Sequence, residues 1–127
     1  MSPPAGPRCL EIEPVGDAFA VRFTARQLVD ENVIAAVGSR LFQLVDQPGP
    51  RRLVLNLGQV QQVGSAMVGK LIALNRKVQA AGGRLVLCAV NSVLYQKMFD
   101  VLRLSQVFRV YDDERQALQA LAPAERA

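Results

Sequence analysis

The run Arg52-Leu-Val-Leu-Asn-Leu57 constrains the fold of this chain most. Pro48-Gly49-Pro50 precedes it and a loop bounded by Gly58 and Gly64 follows it. Apolar residues at successive positions demand cover on both faces, which a strand obtains only inside a sheet that carries helices on both sides. The chain must therefore supply amphipathic helices before and after this run, together with further strands to flank it.

Both requirements are met. Cys9–Glu13 and Ala18–Phe23 alternate apolar and other residues about a Val15-Gly16-Asp17 turn, the pattern of a β-hairpin. From Leu28 to Val45 the period lengthens, with Val33, Val37, Leu41 and Leu44 at steps of three and four, so a helix is expected that tolerates Gly38 at a cost of about 1 kcal/mol. After the central run, Ser65–Ala81 aligns Met67, Leu71, Leu74, Val78 and Ala81 on one helical face and leaves Lys70, Lys77 and Gln79 off it; Gly82-Gly83 end this helix. Arg84–Ala89 reads as a strand, Asn91 or Ser92 as an N-cap, and Val93–Val101 as a helix with Leu94, Met98 and Val101 on one side. A strand over Val107–Tyr111 and a helix over Asp112–Leu121 complete the pattern. Strands alternating with helices imply β-α-β crossovers. The expected fold is α/β, a mixed and mostly parallel sheet of about five strands with about four helices, the opening hairpin at one edge. One domain is expected over residues 9–122, with a flexible leader over 1–8 and a flexible tail over 123–127.

Composition narrows the class. Half of the residues are hydrophobic and 20% are charged, which suits a self-folding globular domain and neither a disordered chain nor a membrane protein. No stretch approaches the roughly 20 consecutive apolar residues that cross a bilayer. The opening Met1-Ser-Pro-Pro-Ala-Gly-Pro7 lacks the apolar run of a signal peptide, so a cytoplasmic protein without membrane insertion is expected. Cys9 and Cys88 each lie among apolar residues that read as strand, as buried free thiols do. The net charge of +4 is spread from Arg8 to Arg126 without interleaved aromatic residues, which describes a solvated surface and not a nucleic-acid site.

Catalytic chemistry has little to work with. The chain contains no histidine, so Ser-His-Asp and Cys-His constellations and histidine-based metal sites are excluded. Gly64-Ser-Ala-Met-Val-Gly69 lacks the spacing and lysine-hydroxyl ending of a phosphate-binding loop. Asn56 stands where a receiver-type domain carries its phosphoacceptor aspartate, and the loop after it holds no carboxylate to bind Mg²⁺. Asp112-Asp113-Glu114, the densest acidic group, suits the positive end of a helix. No catalytic residue, metal site or cofactor is expected. Ser65 is the informative residue because it stands where a loop gives way to an amphipathic helix. Its hydroxyl can cap the first-turn amides, and a phosphoryl group there would place about two negative charges over the positive end of the helix dipole.

The stretch Arg52–Leu74 resembles the central strand, loop and helix of STAS domains, typified by anti-sigma-factor antagonists. The similarity continues through Ala81-Gly-Gly-Arg-Leu-Val-Leu-Cys88, the Asn91-Ser92 turn and Leu104–Asp112. In that family the loop before the central helix usually reads Asp-Ser-Ser-Gly-Leu-Gly. Here Gly64, Ala66 and Met67 replace the aspartate, the second serine and the first glycine, while Ser65 and Gly69 match. The resemblance implies a non-enzymatic partner-switching regulator that binds an anti-sigma factor, itself a serine kinase, and is released when Ser65 is phosphorylated. It also implies a contact surface over Gln62, Gly64, Ser65, Ala66, Met67, Gly69 and Lys70, and a monomer or weak homodimer. The alternatives are an unphosphorylated STAS subunit held by a transporter ATPase of lipid-transport type, and a small α/β enzyme or ligand-binding domain whose site the sequence hides.

Overall fold

In the computed structural model, residues 10–16, 18–46, 52–96 and 108–121 are described. The chain runs β1 (Leu10–Val15), β2 (Ala18–Phe23), β3 (Gln27–Leu28), α1 (Glu31–Asp46), β4 (Arg52–Asn56), β5 (Gln62–Val63), α2 (Ser65–Ala80), β6 (Arg84–Cys88), α3 (Ser92–Tyr95), β7 (Val110–Tyr111) and α4 (Glu114–Leu121). β1 and β2 form the expected antiparallel hairpin, with Val15 opposite Ala18 and Gly16 at φ +58° supplying the left-handed turn residue. β2, β4, β6 and β7 are parallel neighbours in the order β1-β2-β4-β6-β7, so the sheet has five strands and its antiparallel pair at one edge.

β4 lies at the centre, and its residues divide strictly by alternation. Leu53 and Leu55 face the larger core with Leu85 and Leu87 of β6, under Val37 and Leu41 of α1 and Leu71 and Leu74 of α2. Val54 faces the opposite side with Val86 and Cys88, under Ala117 and Leu121 of α4. Both faces are thus covered, as the unbroken apolar run demands. Cys88 is a buried free thiol; burial, followed by the charges of Glu114 and Asp113, pushes its pKa up to about 12, so it is neutral and unreactive near pH 7. Cys9, the leader over 1–8, the tail over 123–127, the Pro48-Gly49-Pro50 breaker, Met98, Val101 and Val107 lie outside the described residues.

Several boundaries differ from the sequence expectation: β1 runs on to Val15, β6 ends at Cys88, α3 begins at Ser92, β7 is confined to Val110–Tyr111, and three helix ends differ for identifiable reasons. α1 begins at Glu31 instead of Leu28, because the Asp30 carboxylate accepts hydrogen bonds from the amides of Asn32 (2.8 Å) and Val33 (3.2 Å) and caps the helix there. Its buried stripe is accordingly Ile34, Val37, Leu41, Leu44 and Val45, with Val33 half-buried. α2 ends at Ala80, and the expected apolar position Ala81 is an exposed C-cap. Gly82 follows at φ +83°, its amide donating to the Gln79 carbonyl (3.0 Å) while Gly83 donates to Val78 (2.8 Å), the two bonds of a Schellman turn. α4 begins at Glu114 after Asp113, whose carboxylate accepts from the Gln116 amide at 2.9 Å.

Glu114 does more than complement the helix dipole, the role expected for its acidic group. It takes a two-pronged hydrogen bond from Arg22 of β2, at 2.7 and 2.9 Å, and a third from the Asn56 amide at 2.8 Å. Arg22 also reaches Glu13 at 2.8 Å. This cluster pins the start of α4 to the ends of β2 and β4. The Arg22 guanidinium, ahead of the Asn56 hydrogen bond, holds the Glu114 carboxyl below the usual carboxylate range. Its contribution to stability is therefore complete above the unfolded value near 4.3 and is lost as pH falls through the lower folded value. Urea midpoints of wild type should fall between pH 6 and pH 3 more steeply than those of Glu114→Gln; parallel curves would remove the cluster from the acid response.

Candidate functional site

The site is assembled at the ends of β4 and β6, where three loops meet. Leu57 is fully buried and anchors a turn closed by the Val60 amide on the Leu57 carbonyl at 3.0 Å. The Asn56 side-chain oxygen accepts from the Gly58 amide at 2.8 Å, so this one residue braces the loop and holds Glu114. Asn91 is the N-cap of α3, its oxygen accepting from the Leu94 amide, while its Nδ2 donates to the Val60 carbonyl at 2.9 Å. The side chain that starts α3 also ties down the loop from β4.

A second clamp comes from the other side. The Arg26 carbonyl accepts from the amides of Gln61 (2.7 Å) and Gln62 (3.2 Å), β3 and β5 pair in parallel with Gln27 beside Gln62, and the Gly64 amide donates to the Leu28 carbonyl at 2.9 Å. This two-stranded ribbon corrects the expectation of a plain loop over Gly58–Gly64 and of a helix beginning at Leu28. Two-residue strands carry no periodicity, so only the backbone pairing shows them.

The ribbon delivers Gly64 to the N-cap of α2 in an extended conformation (φ −78°, ψ 163°), and its carbonyl accepts the first helical bond from Val68 at 3.1 Å. Ser65 is therefore the first helical residue and not the cap, and α2 has no side-chain cap, which corrects the capping role open to the serine hydroxyl. Ser65, Ala66, Gly69 and Lys70 are exposed along the outer side of α2, and Gln62 is exposed on the ribbon. Met67 is not part of that surface: it is fully buried in the main core and acts on the site only by seating the helix. Gly38 of α1 makes room for Lys70, since a Cβ there would lie 3.2 Å from the lysine Cδ.

Chemically, the helix start is an electropositive, solvent-facing end with no acidic residue in its first turn. Among the described residues no group of three or more side chains could hold a metal ion, and no helix is long and apolar enough to cross a membrane. Beside the ribbon lies an open cleft of about 650 Å³ lined by Arg26, Gly58, Gln59, Gln61, Asn91 and Val93. Of these, Asn91 was legible in the sequence as a cap; Arg26, before β3, and Val93, in α3, meet at the cleft only through the tertiary fold.

The replacement at Gly64 has a measurable consequence. A Cβ placed there meets Val29 at 3.5 Å and the Leu28 carbonyl at 3.6 Å, ordinary contact distances, so the backbone accepts an aspartate. Gly64→Asp should raise stability by a few tenths to about 1 kcal/mol through a new cap and the helix dipole. Urea denaturation checks this, and a loss of stability would show that the ribbon crowds the position.

The family model described as STAS domain matches residues 11–117. Among solved structures, an anti-sigma-factor antagonist (STAS) domain protein from Planctomyces limnophilus superposes with a TM-score of 0.76 at 17% identity, covering 88% of this chain and 97% of that one. An anti-sigma factor antagonist from Mycobacterium paratuberculosis gives 0.75 at 20% identity, with 88% and 92% covered. The Bacillus cell fate determinant SpoIIAA in its phosphorylated form gives 0.70 at 18% identity, with 89% and 99% covered. With a family-model match across most of its length, and a five-stranded sheet with four helices among the described residues, the chain belongs to the STAS domain family.

Proposed function

We propose that this protein is a non-enzymatic partner-switching regulator of the anti-sigma-factor-antagonist type, acting in the cytoplasm. It binds a kinase-type anti-sigma factor through the Gln62–Lys70 surface and is released when Ser65 is phosphorylated. The observation that carries this reading is the placement of Ser65, exposed at the first position of α2, behind an uncapped Gly64 and with no acidic side chain in the first turn. A hydroxyl there is open to an incoming kinase. The phosphoryl group it receives from ATP, with ADP leaving and the hydroxyl proton passing to a base of the kinase, meets helix amides and not a carboxylate.

The domain tolerates that charge without refolding, because the side chains that seat α2 (Met67, Val68, Leu71 and Leu74) all point into the core. The change is confined to what the surface presents. A dianion at the centre of a contact patch opposes a partner that had packed against a neutral serine. Support from relatives is consistent in kind, since the Planctomyces limnophilus and Mycobacterium paratuberculosis proteins are described as anti-sigma-factor antagonists and the Bacillus protein has been solved in a phosphorylated form.

Incubation with anti-sigma kinases encoded in the same genome and ATP, followed by phosphopeptide mass spectrometry, should place the label on Ser65 in wild type and abolish it in Ser65→Ala. Equal labelling of both proteins would refute the assignment. Ser65→Glu should weaken kinase binding at least tenfold, while Tm stays within about 2 °C of wild type, as an exposed substitution of about 0.5 kcal/mol allows. A tight complex with a transporter ATPase that ignores ATP would favour a structural subunit instead.

A further inference from the structure

The cleft beside the ribbon holds one titratable side chain, Arg26; its other lining residues are Gly58, Gln59, Gln61, Asn91 and Val93. Arg26 is exposed and, like Arg76 and Arg109, makes no ion pair among the described residues; what sets it apart is its place in the cleft. Its main chain, by contrast, is held firmly, because the Arg26 carbonyl accepts both the Gln61 and Gln62 amides. A guanidinium at a cleft whose lining otherwise offers amides and no carboxylate can donate two hydrogen bonds to a carboxylate that enters there.

The surroundings indicate a protein as the source of that carboxylate. The cleft is open to solvent, and Val93 at its rim is 59% exposed. Across the ribbon, Val29 is 42% exposed and lies against Gly64, the residue that precedes Ser65. Two bare valines therefore flank the ribbon, one on the cleft side and one on the Ser65 side. Exposed apolar side chains near an arginine suit a protein contact patch, in which the charged group sets orientation and association rate.

We infer that the partner surface continues from Ser65 across the β3–β5 ribbon into this cleft, where Arg26 receives an acidic side chain of the protein partner. The inference rests on the partner-binding reading of Ser65 and adds to it a specificity contact on a different loop. To a neutral serine that must stay uncharged it adds an arginine that must stay positive.

Isothermal titration calorimetry of the full-length chain against the anti-sigma kinase that labels Ser65, at low and high salt, tests it. Arg26→Glu should weaken binding at least tenfold and abolish most of its salt dependence, and Arg26→Ala should fall between it and wild type. Arg76→Glu, an equal change of charge late on α2 and away from the ribbon, should bind as wild type does. Circular dichroism melts confirm that each variant is folded, which the exposed position of Arg26 favours. Wild-type affinity in Arg26→Glu, or an equal loss in Arg76→Glu, overturns the Arg26 contact while leaving the role of Ser65 intact. Failure of the wild-type protein to bind any such kinase overturns both.

Discussion

The architecture of the site depends on a short set of backbone hydrogen bonds, in which the carbonyls of Arg26 and Leu28 receive the amides of Gln61, Gln62 and Gly64. They form where the chain leaving β2 passes the chain leaving β4, and they turn two loops into a ribbon. Without them, residues 58–64 would be a glycine-bounded connection with no defined exit, and the first turn of α2 would have no fixed position relative to the sheet. With them, Ser65 stands at a set height and orientation above the ends of the parallel strands. The main-chain bonds do this regardless of side chain, which leaves Gln27 and Gln62 free to face outward.

The sheet makes the clamp possible. β4 is buried on both faces, by the leucine-rich core under α1 and α2 and by the smaller layer of Val54, Val86 and Cys88 under α4. Leu57 and Val60 continue that burial past the end of the strand, so the loop is anchored before it reaches the ribbon. Asn56 and Asn91 then each serve two structures: Asn56 braces the turn and holds Glu114, and Asn91 caps α3 and holds Val60. Polar side chains with several bonds at the ends of strands stiffen a surface that is otherwise built from loops. A rigid surface loses little conformational freedom on binding, and under the proposed switch a charge on Ser65 would act on the interface instead of the fold.

Much of this was readable from the residues. The unbroken apolar run at β4 implied a covered interior strand, and the three- and four-residue steps located α1 and α2 because long amphipathic patterns survive tertiary context. The hairpin was legible from its alternation and Gly16. The parts that escaped are those with no local signature. Asp30 moves the start of α1 by capping, against an apolar Leu28 that looked helical and is committed to β3. Gly64 and not Ser65 is the N-cap of α2, a distinction that depends on one pair of dihedral angles. Met67 was grouped with the contact residues by its place in the motif, yet the helical period sends it into the core. Arg22, Asn56 and Glu114 are far apart in sequence and meet only because β2, β4 and α4 converge.

One contiguous surface, the start of α2 with the ribbon and its adjoining loops, is the proposed binding face for a protein partner. Hydrogen–deuterium exchange of the protein alone and saturated with the proposed anti-sigma kinase reports protection along the whole backbone. New protection is expected over residues 26–29, 58–70 and 91–94, with β1 and α4 unchanged. Protection confined to the β1 edge or to α4, with the Ser65 region exchanging as in the free protein, would contradict it.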